Sequence, residues 1–141
     1  DKTKYENYEI IIVNNQSIEK ITFEYFKSLE SKKNLKIIDF NETFNFSKMN
    51  NLGVKNSDGE FLLFLNNDTE IMTDNWLNEM IGYASLKHIG AVGVRLHFPK
   101  TNNIQHCGIV NLNDGPGHAF YNFSSEHIYA FGRNIFGKVI S

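Results

Sequence analysis

The chain has 141 residues, 41% of them apolar and 21% charged, with a formal net charge of -2. That length can bury the core of one domain, and the near-neutral charge gives no electrostatic reason to expect nucleic acid or an anionic membrane surface as a partner. The single cysteine, Cys107, excludes an internal disulfide framework and suits a reducing compartment, so the expected location is cytoplasmic.

No apolar segment approaches the length of a membrane span, and the polar residues 1–7 are not a signal peptide. A β-branched run over residues 8–13 ends in Asn14, Asn15, Gln16 and Ser17, which reads as a buried strand with a polar tip. Ser17 is the expected N-cap of a helix running to about residue 31, with Lys20 where an acid would complete a capping box. Ile18, Ile21, Thr22, Tyr25, Phe26 and Leu29 recur at helical spacing and draw its apolar face. A strand over residues 35–40 follows. Strand, helix, strand in this order implies a right-handed crossover and a parallel sheet.

Asn45 or Ser47 is expected to cap a helix to about residue 56, after which Asp58 and Gly59 turn the chain. Asn50 and Asn51 suit a helix interior poorly, because the amide competes with the backbone. Gly53 costs roughly 1 kcal/mol there against Ala. Such a cluster points to a close approach or a polar ligand on that face; the alternative is a weak surface helix held by tertiary contacts.

Residues 60–70 are the centre of the pattern. Five large apolar residues, Phe61 through Leu65, run into Asn66, Asn67 and Asp68. The run reads as a strand buried on both faces, and its C-terminal tip is where an open α/β sheet presents ligand-binding groups. A carboxylate flanked by oxygen-bearing side chains suits a hard divalent cation that also holds phosphate oxygens. A plain strand-to-turn exit is the alternative, since Asn and Asp are common turn residues.

Thr73 or Asp74 is expected to cap a helix to about residue 86, with Trp76, Leu77, Met80, Ile81 and Ala84 as its apolar stripe. Residues 89–96 read as a glycine-rich strand, 99–103 as a turn, 104–112 as a short antiparallel return and 113–117 as a loop. From His118 to Ser141 no clear period emerges. His106 beside Cys107 would suit zinc only with a second pair at ligand spacing, and none follows.

Residues 45–54 and 59–70, followed in order by Trp76-Leu77, residues 90–93, residues 104–108 and Gly117-His118-Ala119, closely resemble family 2 glycosyltransferases. The likeness is strongest to the bacterial rhamnosyltransferase-like branch, which builds polysaccharide and lipopolysaccharide chains, and it covers nearly the whole chain. It implies an α/β GT-A fold, a three-layer sandwich with a mostly parallel sheet, incomplete at both termini and forming one partial domain over residues 1–141. It implies a nucleotide-diphosphate sugar donor, UDP- or dTDP-linked, a glycan or lipid-linked acceptor, and a divalent cation, Mg²⁺ or Mn²⁺.

The family's DXD-type triplet falls on Asn66, Asn67 and Asp68. Asp68, the one ionised member, is the implied metal ligand; Asn66 offers a neutral oxygen to the metal, the ribose or a phosphate. Asn14 stands where the family carries an acid contacting base or ribose. Asn50 and Asn51 fall where its helix turns polar groups to the donor, and His118 is placed to approach the diphosphate or the acceptor.

Two departures bear on activity. The family's first strand has no counterpart ahead of residues 8–13, and no Asp or Glu follows Glu126, where the general base of inverting members lies. The base is therefore expected outside this chain. The parent protein is expected to transfer sugar, peripheral at the inner face of the membrane, and the isolated chain to be inactive. The competing expectation is a non-catalytic GT-A-like binding or assembly module, which the amides at positions 14 and 66 favour. A nucleotidyltransferase would need a glycine- and basic-rich phosphate loop near its start, and none is present. A missing edge strand also leaves a sheet edge free to pair with a second copy.

Overall fold

The structure is a computed structural model and describes residues 2–101 and 103–126; the rest of the aperiodic stretch, residues 127–141, lies outside the described residues. The chain divides into two compact units, one up to Ile81 and one from Gly82.

In the first unit, β1 (Ile10–Asn14) and β2 (Leu35–Asp39) pair in parallel, from Ile10 opposite Leu35 to Asn14 opposite Asp39. α1 (Lys20–Leu29) is the crossover between them, so the expected strand–helix–strand unit forms. The ladder extends by one bond at each end: Ile10 N–H donates to the Asn34 carbonyl at 2.7 Å and Phe40 N–H to the Asn14 carbonyl at 2.8 Å. Phe40, only 6% exposed, anchors the exit of β2.

α1 starts later than the sequence suggests. Its N-cap is Glu19, whose side chain makes no capping bond. Ser17 is held back at the strand tip, where its N–H donates to Asn14 Oδ1 at 3.3 Å beside Gln16 in a left-handed conformation, φ 54°. The covered stripe is also narrower than expected. Thr22, Phe26 and Leu29 are half-buried or buried, whereas Ile18, Ile21 and Tyr25 are exposed. Two strands about 4.8 Å apart offer a strip wide enough for one row of helix side chains.

α2 (Phe46–Lys55) forms as expected, capped by Asn45, whose side-chain oxygen accepts from Lys48 N–H at 3.0 Å. It packs on β1. A Cβ built on Gly53 would stand 3.6 Å from Val13 Cγ2, an ordinary van der Waals contact, so the helix–strand approach does not itself demand glycine.

The apolar run at 61–65 forms no strand, and its five side chains are 42% to 59% exposed. Apolar content shows that a segment gains from burial, but a strand also needs a neighbour to take its backbone N–H and C=O groups. The sheet of this unit contains β1 and β2 alone, each paired to the other.

α3 (Trp76–Ala84) carries the expected stripe, with Trp76, Leu77, Met80, Ile81 and Ala84 half-buried. It begins beyond Thr73 and Asp74 because the Asp74 carbonyl takes Lys4 N–H at 2.9 Å and the first helical bond is Glu79 N–H to Asn75. Thr3 and Lys4 are fastened to the start of this helix. Trp76 Nε1 donates to Thr3 Oγ1 at 3.1 Å, and Lys4 Nζ lies 2.7 Å from Asp74.

In the second unit, β3 (Leu96–His97) pairs antiparallel with β4 (Ile104–His106), and β5 (Ile109–Leu112) with β6 (Gly115–His118). The strand expected at 89–96 is therefore confined to its last residue and His97. The expected return at 104–112 is broken at Cys107 and Gly108, whose φ of 111° turns the chain. The expected loop at 113–117 shrinks to Asn113 and Asp114, because Gly115, at φ 121°, lets the chain rejoin the ladder opposite Leu112. Ile104, 1% exposed, is the most buried of the described residues of the unit; its N–H donates to the Phe123 carbonyl at 2.9 Å and its carbonyl accepts from Asn122 N–H at 2.8 Å. Among the described residues no helix is long and apolar enough to cross a membrane.

Candidate functional site

Because β1 and β2 are parallel and in register, their polar tips end side by side. Three successive amides tie them. Asn14 Nδ2 donates to Asp39 Oδ1 at 2.8 Å. Asn15 Nδ2 donates to the carbonyls of Phe40 at 2.9 Å and Glu42 at 3.0 Å. Gln16 Nε2 donates to the Asn41 carbonyl at 3.1 Å. Asn14 is 8% exposed, so an unpaired amide there would cost about 1–3 kcal/mol; both its nitrogen and its oxygen are used.

Beyond the tip of β2 opens a crevice of about 480 Å³ between the strand exit, Asp39 to Glu42, and one face of α2. That face carries Lys48, Asn51 and Lys55, three and then four residues apart, the spacing that aligns side chains along a helix. Lys48 Nζ lies 2.6 Å from Glu42 Oε2, with both side chains 61% exposed. A pair so exposed is worth little, so an incoming anion can take over the ammonium at small cost. A crevice outside the carboxyl ends of parallel strands is the ligand position of open α/β sheets. Two ammonium groups and an amide on its helical wall suit an anionic ligand rich in oxygen; Asp39 and Glu42 on the other wall suit hydroxyl groups.

The residues singled out from sequence fall in different places. Asn51 lines the crevice, and Asn14 borders it through Asp39. Asn50 is half-buried on the adjoining face of α2. Asn66, Asn67 and Asp68 are exposed in a turn closed by Thr69 Oγ1 donating to the Asn66 carbonyl at 2.8 Å. Among the described residues no three His, Cys, Asp or Glu side chains gather around one point. Asp68 with two neutral amide oxygens is still a donor set that Mg²⁺ accepts, since that ion takes one or two carboxylates and completes its shell with water and phosphate oxygens.

His118 belongs to the second unit, at the end of β6. Its Nδ1 stands 2.8 Å from Nδ1 of His106, and its ring stacks on Tyr121 with centroids 6.2 Å apart. Burial, reinforced by His118, holds the His106 pKa below the usual imidazole value.

Lys48 and Lys55 were not among the candidate residues of the sequence, and Asp39 was legible only as a strand-end carboxylate without the acidic pair and lysine of a phosphoacceptor site. The signal was present for the lysines, as a polar i, i+3, i+7 row through Asn51, but charged helix faces are usually just solvated. The bond of Asp39 with Asn14 depends on strand register and has no local signature.

The sequence profile described as "Glycosyl transferase family 2" matches residues 1–136. An uncharacterized protein, y4gI, of Sinorhizobium fredii (strain NBRC 101917 / NGR234) is 36% identical over 134 residues, covering 94% of this chain and 15% of that protein. The O-antigen biosynthesis protein RfbC of Myxococcus xanthus is 35% identical over 121 residues, covering 85% of this chain and 9% of that protein. The chain thus spans less than a fifth of the length of either relative. No solved structure matches. With the profile spanning residues 1–136, the chain belongs to glycosyl transferase family 2 and to the α/β GT-A fold class that this family implies.

Proposed function

We propose that the chain is the donor-binding part of a glycosyltransferase that moves a sugar from a UDP- or dTDP-linked donor to a growing glycan or lipid-linked acceptor. The observation that carries this reading is the crevice at the tip of β2, walled by Lys48, Asn51 and Lys55, within a chain of this family. The lysines meet the diphosphate, Asn50 and Asn51 supply amide contacts, and Asp39, held by Asn14, accepts from ribose hydroxyls. Asp68 and Asn66 hold Mg²⁺ or Mn²⁺, which when bound neutralises the diphosphate leaving group, and Asn67 contacts the donor. His118 serves the diphosphate or the acceptor.

The polysaccharide context follows the printed role of the Myxococcus relative in O-antigen biosynthesis, and hexosyl or rhamnosyl transfer is the reaction proposed. Residues 1–141 act as one partial domain of a longer cytoplasmic enzyme, peripheral at the inner face of the membrane. The general base lies outside this chain, and the isolated chain binds donor without turning it over. A second copy pairs through the open edge of the sheet.

Calorimetric titration of UDP and dTDP with Mn²⁺ or Mg²⁺, repeated with chelator, tests the reading. Expected is metal-dependent binding that disappears in Asp68→Ala and weakens in Lys48→Ala and Lys55→Ala. A folded chain that binds neither nucleotide sinks the donor-site assignment. Turnover of a nucleotide-sugar by the isolated chain would overturn the claim that it lacks the base.

A further inference from the structure

We propose that His106 and His118 form a two-imidazole site for a borderline divalent transition metal, with Zn²⁺ the best match, separate from the hard-cation site assigned to Asp68. The two rings come from different strands, β4 and β6, twelve residues apart, so no short ligand spacing announces them. Folding brings them together. Cys107 and Gly108 turn the chain out of β4, the hairpin pairs Ile109 with His118, and Ala119 N–H donates to the Gly108 carbonyl at 2.9 Å. The outcome is two Nδ1 atoms 2.8 Å apart on rings inclined at 85°.

Without a metal, one Nδ1–H donates to the other Nδ1. The same convergence suits a shared cation, since two nitrogens bound tetrahedrally at 2.0–2.1 Å stand about 3.3–3.4 Å apart. Opening the pair by roughly half an ångström, with each ring tilted so that its Nδ1 lone pair leaves the N···N line, brings both nitrogens onto one cation.

Two further observations favour the site. His118 is exposed, so a cation has a path in. Tyr121 stacks on the His118 ring, limiting its rotation in the way outer contacts fix metal-binding imidazoles. Among the described residues no carboxylate or thiol joins as a third ligand, so the remaining positions go to water or to an exogenous oxygen. Nitrogen ligands select Zn²⁺, Ni²⁺ or Cu²⁺ over Mg²⁺, which sets this pair apart chemically from the Asn66–Asn67–Asp68 turn.

The test is titration of ZnCl₂ into the tag-free full chain by calorimetry, with histidine ring resonances followed by NMR. Expected is saturable 1:1 binding that shifts the rings of both His106 and His118 while His88 stays still. MgCl₂ should give no such shift. His106→Gln or His118→Gln should weaken Zn²⁺ binding by about 10- to 100-fold or more, at least the loss seen on removing an outer-shell partner. Asp68→Ala should leave it unchanged, so this inference can fail or stand independently of the cation site at Asp68. Ring resonances of the wild-type chain that respond to pH but not to Zn²⁺ overturn the proposal, as does binding equally strong in both glutamine variants.

Discussion

The amide of Asn14 shows how one side chain is fixed by a partner 25 residues away. Register sets Asn14 opposite Asp39, and the 2.8 Å bond between them needs a donor on one side. An acid at position 14, the residue type that the family resemblance leads one to expect, would bring two carboxylates together in a nearly buried place. Like charges at that range raise the pKa of one of them. Asn14→Asp should therefore be more stable in mild acid than at pH 7: the raised folded-state pKa stabilises the protonated form, and that benefit is lost as pH rises through it. Thermal unfolding midpoints across this range check the prediction; a midpoint that rises steadily toward neutral pH would refute it. The position of Asn14 at a strand tip was legible in the sequence. Its commitment to Asp39 was not, because only the pairing of β1 with β2 creates the contact.

The three helices with a local signal formed, and α2 formed where the sequence placed it. Its cap, Asn45, satisfies the Lys48 N–H, so Asn45→Ala should cost about 1 kcal/mol. Gly53 faces Val13, and a methyl group there meets Val13 Cγ2 at an ordinary contact distance of 3.6 Å. Gly53→Ala should then keep its helix-propensity gain of up to about 1 kcal/mol. Urea unfolding of both variants reads the two signs together; a destabilised Gly53→Ala would mean that α2 must approach β1 more closely than the alanine methyl permits. The run at 61–65 is the opposite case. Its apolar content was legible, but strand formation depends on a partner, and partners are a property of the sheet and not of the segment. The same distinction explains α1, whose helical period was clear while the number of strands beneath it was not, leaving Ile21 and Tyr25 exposed.

At the scale of the molecule, the motif order carried the family, while the contacts that close the first unit could not be read from periodicity. They join residues far apart in sequence, and several are ionic. Lys36 Nζ lies 3.1 Å from both Glu9 and Asp58, and Lys2 pairs with Glu70 and Lys4 with Asp74. Hydrogen bonds from the Asp58 N–H and from Lys36 lower the Glu9 pKa below its ordinary 4.5. Lys2 and Lys4 do the same for Glu70 and Asp74. Bonds to Glu9 and Asp58 raise Lys36 above its ordinary 10.5. The signs fix a window. A lowered carboxylate contributes stability above its unfolded value and loses it as pH falls through the folded value; a raised lysine contributes below its unfolded value and loses it as pH rises through the folded one. This network should therefore be intact between about pH 4.5 and 10.5, with the thermal midpoint falling on either side. All these groups except the half-buried Glu9 are solvent-exposed, so added salt should flatten the acid limb. Lys36→Met should shrink both the acid limb, through Glu9, and the alkaline one. An acid limb unchanged by both salt and Lys36→Met would show that these pairs play no part in holding the unit closed.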